Sequence, residues 1–524
     1  MTNTQTTTTK TNHYFRAMVV LAALAMVASL LVASAGRPAH AAPSTFTVNF
    51  TGDLADRNPG DGVCDVTSSI EDTCTLRAAI QESNATTTDA DTINFNIPAA
   101  FRDPASGVAT ITPMSPLPFI TDQVTIDGYT QPGAHPNTKT LGNDAALKIE
   151  LSGISAPSTS SGLKIETTEG SVIRGLVIYR FGGAGITVSG DSVANRIEGN
   201  FIGTDHTGTI DRGNDLAGVS IRVGPSQTLV GGTTPAARNV ISGNGIGIDV
   251  FQANGSLIMG NYVGTDKSGT KDLGNADGVE MIGATGGTVG GTTAASRNVI
   301  SGNDNDGIEA LASQGTKVLG NRIGTTASGT GVLGNTSQGV HIFGDASNIL
   351  LGDGTSAGSN TIAFNGSDGI FVVGSSIGNG ISRNSIFSNG GLGIDLEGPD
   401  EGLFTDVSTP NDPGDADSGA NNLQNFPVIT SAKTVSGTTT IKGKLDSNPN
   451  QTYTIEFYSN PLGINEGKKF IGKKSVTTSV DGLRSFTFTP ATSVAVGQTI
   501  TATATRAFTH DTSEFSAPKK VVAS

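Results

Sequence analysis

From about Ser161 to Asn422 apolar and polar positions follow one short script, repeated with small changes. Each unit reads Asn, any residue, Ile or Val, then a variable stretch, a second Asn, and within a few residues Gly followed by Ile or Val. The first Asn falls at 200, 239, 261, 298, 321, 360 and 384, and the second at 214, 244, 275, 303, 335, 365 and 389. The Gly of each Gly-aliphatic pair runs from Gly185 through 218, 247, 278, 307, 339 and 369 to Gly393, seven steps of about 30 residues. The segments inside a unit are β-branched, alternate with period two and show no helical apolar stripe. Each can bury its apolar face only if the next unit stacks on it, which defines a solenoid. A parallel β-helix meets that requirement, with rungs ~4.8 Å apart. Asn at a fixed turn position would then either form a ladder of side-chain amides or supply left-handed turn geometry.

Two insertions alternate between units. One is Gly-Thr-Asp-x-x-Gly-Thr at 203–209 and 264–270, degenerate at 324–330, where Thr326 replaces Asp. The other is Gly-Gly-Thr-Thr at 231–234 and 290–293. A repeated feature that decays in this way reads as structural. Before the repeat, opening coils are expected at 92–97, 109–112, 124–127, 147–151, 163–166 and 172–179, so the β-helix spans residues 93–396. After it the pattern changes. Alternating segments at 438–445, 452–458, 469–476, 485–489 and 499–505, separated by Asn-Pro, Gly and Asp-Gly turns, predict an immunoglobulin-like β-sandwich over 426–524.

Composition agrees with turns and short strands: 70 Gly, no Trp and 36% hydrophobic residues in 524. The formal charge is −14. With no basic stripe to neutralise phosphates, nucleic acid is not an expected partner. Residues 1–41 read as a signal peptide: Lys10, His13 and Arg16, an apolar run from Ala17 to Ala35, and a small-x-small site at Ala39-His40-Ala41. An uncleaved anchor is the competing reading of that run. No later segment could cross a membrane. The only cysteines, Cys64 and Cys74, lie in a module spanning 42–92 that is placed to cap the first rung. In an exported chain they favour a disulfide over metal binding. That bridge would pin a hairpin to a short helix over 75–84.

Cys-Thr-Leu-Arg-Ala-Ala-Ile-Gln-Glu-Ser-Asn at 74–84 resembles the CSLREL motif of exported bacterial proteins, although Thr75 and Ala78-Ala79 depart from its name-giving letters. Asp91–Phe95 and Val124–Gly128 resemble the opening rungs of the pectin-lyase-like superfamily. The resemblance implies export and a right-handed parallel β-helix, and it implies no reaction. The expected fold is therefore all-β: a right-handed parallel β-helix with an N-terminal cap and a C-terminal β-sandwich.

The register also nominates a face. If the aliphatic after each Gly points inward, the next residue points outward: Thr187, Ser220, Asp249, Glu280, Glu309, His341, Phe371 and Asp395. Stacked carboxylates ~5 Å apart raise a pKa or attract a cation, and they approach the spacing of retaining glycosidase pairs, about 5–5.5 Å. In an enzyme, Asp249, Glu280, Glu309 and His341 would be the catalytic set; otherwise they are a solvated row. Two residues further along lie Phe251, Ile282, Leu311, Phe343 and Val373, and Phe251, Phe343 and Phe371 are candidates to contact sugar rings. Arg222 shares the face, but no pattern marks it as a base. The linker, 397–425, carries seven acids. Within it Asp412, Asp415 and Asp417 alternate as hard-oxygen Ca²⁺ ligands would, or as a solvated connector would. The functional expectation is an adhesin-like secreted or cell-surface protein that binds a polysaccharide or cell-surface glycan, with Ca²⁺ the one cofactor suggested. The alternative is a polysaccharide lyase or glycoside hydrolase.

Overall fold

A computed structural model describes residues 43–66, 73–86, 90–166, 168–398 and 407–523. The stretch 1–41, expected to be a signal peptide, and the linker acids Asp400, Glu401 and Asp406 lie outside the described residues. The chain is wound into a right-handed parallel β-helix of three sheets with eleven, ten and nine strands, each neighbour one coil away in sequence. Every pairing inside the three sheets is parallel. Ile or Val recurs on the inner positions, so aliphatic columns merge into one core running from Phe46 to Leu396.

The corners explain the short strands. The expected strand over 172–179 is two strands on different sheets, Val172–Arg174 and Leu176–Tyr179. Gly175 breaks it at φ +74, where a Cβ would lie 2.7 Å from the Tyr129 backbone nitrogen. The other opening strands fall within two residues of their expected limits at either end.

Asparagine does not supply the left-handed corners, since none of the fourteen repeat Asn has positive φ. Both Asn series are ladders instead. In the first, the Nδ2 of Asn239 donates to the Oδ1 of Asn261 at 2.9 Å, Asn261 to Asn298 at 3.1 Å and Asn298 to Asn321 at 3.0 Å. The other Nδ2 hydrogen goes to a carbonyl of an earlier coil, as from Asn261 to Val230. The second ladder runs from Asn214 through Asn244, Asn275, Asn303, Asn335 and Asn365 to Asn389. Every ladder amide thus has at least one Nδ2 acceptor, and most, such as Asn244, Asn261 and Asn335, have two, the condition under which a polar column inside a solenoid is tolerated.

Both ends are closed. At the N-terminus, Thr45–Val48 is the first strand of the first sheet, and helix Leu76–Ala85 packs Leu76, Ala79 and Ile80 against Phe46, Ile93 and Phe95. Thr75 caps the helix by accepting from the Ala78 amide. The Cys64–Cys74 disulfide is formed. No hairpin accompanies it among the described residues; a loop takes its place, because buried Glu82 accepts from the amides of Gly60 and Gly62.

At the C-terminus, two four-stranded sheets form the sandwich. Val428–Val435, unanticipated from the sequence, is one of its strands. Other residues of the sandwich also terminate the solenoid. Tyr458 and Phe515 join the solenoid core. Glu466 accepts from Asn389, the last rung of the second ladder, at 2.8 Å, and Glu514 accepts from the Leu396 amide. Carboxylates from the sandwich thereby satisfy donors that a truncated solenoid would leave bare.

Candidate functional site on the third sheet

The strands of the third sheet align Thr187, Ser220, Asp249, Glu280, Glu309, His341, Phe371 and Asp395 on successive rungs. Their environments differ sharply. Asp249 is 1% exposed. Its Oδ2 accepts from the Ser220 hydroxyl at 2.9 Å and from Arg222 Nη2 at 2.7 Å. Arg222 therefore neutralises Asp249, and both serve the face as a fixed pair. Phe371 is 2% exposed and stacked on His341 with centroids 5.3 Å apart. It cannot offer a face to a ligand: its ring is covered, which corrects the expectation of an outward contact. Phe251 is half-buried with the Arg222 guanidinium over its ring at 5.8 Å.

Glu280, Glu309, His341 and Phe343 remain half-buried and open. Burial first, then the charges of Asp249 and Asp277, push the Glu280 carboxyl up. Glu309 is pushed up to about 7 by burial and by the charges of Asp277, Glu280 and Asp306. His341 Nδ1 lies 3.0 Å from Asp306 Oδ2, and its ring stacks on Phe343 at 4.4 Å. The Phe343–His341–Phe371 stack fixes the imidazole plane.

Asp277 and Asp306 were not singled out from the sequence. They precede the Gly of two repeat units, and one oxygen of each is used structurally. Asp277 Oδ1 accepts from the Asp306 amide, Asp306 Oδ1 from the Gln338 amide, and Gln338 Oε1 from the Asp368 amide, continuing a third ladder beside the face. Asp306 spends its second oxygen on His341. Asp277, Asp306 and Glu309 each bring a carboxylate oxygen within 4.8 Å of the other two. The recurring Asp-Gly-Val/Ile at 277, 306 and 368 was the available signal.

The linker acids Asp412, Asp415 and Asp417 also converge within 4.8 Å. Asp415 is held by the Asn425 amide and the Ser447 hydroxyl, both at 2.7 Å. Burial, with the nearby charges of Asp417 and Asp412, pushes Asp415 up to about 6. Asp415 bonds to Ser447 of the sandwich, and Gly414 and Asn411 donate to Asp446 and to the Phe426 carbonyl, so the described part of the linker, from 407 onward, is not a free connector. The three carboxylates could hold a divalent cation. The Thr-Asp insertion, by contrast, is structural: Asp205 accepts from the Thr207 hydroxyl and the amides of Thr209 and Ile210, and Asp266 repeats the arrangement.

No family model and no curated protein sequence matches this chain. Among solved structures it is similar to the A-module of the Azotobacter vinelandii mannuronan C-5 epimerase AlgE6, with 14% identity over 67% of this chain and 72% of that one, at a TM-score of 0.34. It is likewise similar to the enzymatically active domain of bacteriophage CBA120 tailspike protein 2 (12%, 86% and 73%, TM-score 0.31) and to pectate lyase Pel9A (13%, 66% and 80%, TM-score 0.28). The three stacked parallel sheets of this chain make it a right-handed parallel β-helix protein.

Proposed function

We propose that this is an exported protein that holds a polysaccharide chain along the outer face of the third sheet. The observation that carries the proposal is a double column. Glu280, Glu309 and His341 lie in register beside half-buried Ile282, Leu311 and Phe343. Sugars present polar edges and apolar faces together, and a polar row flanked by an apolar one, repeated at strand spacing, complements both along an extended chain. A recess of about 450 Å³ bordered by Phe119, Lys164, Thr187 and Arg222 continues the same face toward its N-terminal end. Export is supported by the leader-like residues 1–41 and by the disulfide. Among the described residues no helix is long and apolar enough to cross a membrane. A glycan array probed with the mature chain, with and without Ca²⁺, tests the proposal. Binding to at least one acidic or neutral polysaccharide is expected, and a blank array would end it.

A second reading rests on one observation. Glu309, pushed up to about 7, is poised to take or give a proton near neutral pH. Under this reading the protein is a polysaccharide lyase or glycoside hydrolase. Glu309→Gln would abolish product release while leaving binding intact; an unaltered rate in that variant would remove the reading.

A further inference from the structure

The second sheet carries a different feature, independent of the glycan face. Arg238 and Arg297 occupy equivalent positions, each directly before a ladder Asn at the end of a Gly-Gly-Thr-Thr insertion. Each Nε donates to an equivalent carbonyl, Gly260 for Arg238 at 3.3 Å and Gly320 for Arg297 at 2.7 Å. From there the two copies diverge. In the first, Nη1 and Nη2 donate to the carbonyls of Lys139, Gly142 and Thr140, at 2.6 to 3.0 Å, so a loop of the chain fills the place in front of the guanidinium. In the second, Nη1 and Nη2 meet no acceptor among the described residues. A cavity of about 360 Å³ lies beside Arg297, bordered by Leu141, Tyr262, Ala294, Ala327 and two further arginines: Arg322, and Arg238 with its Nη donors already spent on the 139–142 carbonyls. Neither Arg297 nor Arg322 has an ion-pair partner among the described residues, and no carboxylate lines the cavity. In a chain of net charge −14 that is an unusual local excess. Burial and the charge of Arg297 both lower the Arg322 pKa, the signature of cations without a counter-charge.

We infer that this cavity is a binding site for a compact organic anion, whose carboxylate sits between Arg297 and Arg322 and takes the place that the 139–142 carbonyls take at Arg238. Forked guanidinium donors match the two oxygens of a carboxylate. The Leu141, Ala294 and Ala327 walls favour a ligand with a ring-sized body over a bare inorganic ion, and the volume suits one small molecule.

The test is calorimetric titration of the full chain at fixed ionic strength with sodium glucuronate, glucose and sodium sulfate. Glucuronate is expected to bind and glucose to give no heat. Arg322→Gln should weaken glucuronate roughly tenfold or more, the loss of a charge-assisted contact. Ala294→Trp keeps both guanidiniums and fills the mouth of the cavity, and should weaken it as well. Phe508→Ala, on the exposed surface of the sandwich and outside both sites, should leave it unchanged. Circular dichroism and melting temperature establish that each variant is folded. No glucuronate binding, sulfate binding with glucuronate silent, or glucuronate binding equal in wild type and both cavity variants would each overturn the inference.

Discussion

Replacing Glu309 with Gln should make the protein more stable, and only above acidic pH. The carboxyl is pushed from its ordinary 4.5 up to about 7 by burial and by the charges of Asp277, Glu280 and Asp306. Because the folded-state value lies above the unfolded one, its contribution is fully present below pH 4.5 and is lost as pH rises through 7. The rise from 4.5 to about 7, at 1.36 kcal/mol per pH unit, sets ~3 kcal/mol as the upper bound, which solvent screening of the half-buried carboxyl reduces. Gln keeps the shape and cannot ionise. The variant should therefore match wild type near pH 4.5 and exceed it increasingly up to about pH 7.5, where the difference levels off. With an unfolding entropy of ~2 cal/mol/K per residue, a chain of roughly 500 residues changes Tm by ~1 °C per kcal/mol, so the plateau should be ~2–3 °C. Melting curves of both proteins at half-unit pH steps provide the assay. A constant difference across pH, or a wild type more stable at pH 8, would refute the electrostatic account of the face.

Three further outcomes are expected. Asn303→Ala orphans the Asn275 amide and Nδ2, both of which donate to Asn303 Oδ1, and should cost about 3–5 kcal/mol, whereas exposed Asn305→Ala should cost less than about 0.5 kcal/mol; urea titration compares them. Removing the Cys64–Cys74 bridge, which spans 10 residues, should lower the stability of the N-terminal cap by about 2–3 kcal/mol, seen as faster proteolysis within residues 44–86. Asp415, pushed up to about 6, contributes stability that is full below pH 3.8 and lost as pH rises through 6. Added Ca²⁺ should therefore raise Tm at pH 7.5 but not at pH 4.5, and Asp417→Asn should remove that rise.

The repeat made the solenoid legible because parallel stacking puts like residues at like places, so seven Asn-x-Ile/Val units specify seven rungs of two sheets at once. The same logic placed Glu280, Glu309 and His341 on one line. What it could not supply was the depth of each position. Asp249 and Glu280 are neighbours in the same column, yet one is sealed by Arg222 and the other is open, since sealing depends on a residue two places along a neighbouring strand. Phe371 is covered by tertiary contact that no spacing records. Asp277 and Asp306 were visible as Asp-Gly pairs. A residue preceding glycine is usually read as turn chemistry, and only the coil above it shows that its second oxygen reaches the face. The joining of the sandwich to the solenoid core through Tyr458, Glu466 and Phe515 was equally hidden, because those residues lie inside ordinary alternating strands or loops.

The most direct measurement of the central claim is hydrogen–deuterium exchange on the full chain with and without a polysaccharide identified by glycan array. The account predicts slowed exchange confined to Asp277–Ile282, Ile308–Leu311 and Val340–Phe343, abolished in a His341→Ala, Phe343→Ala double variant. Protection located on the first or second sheet, with the third unchanged, would contradict it.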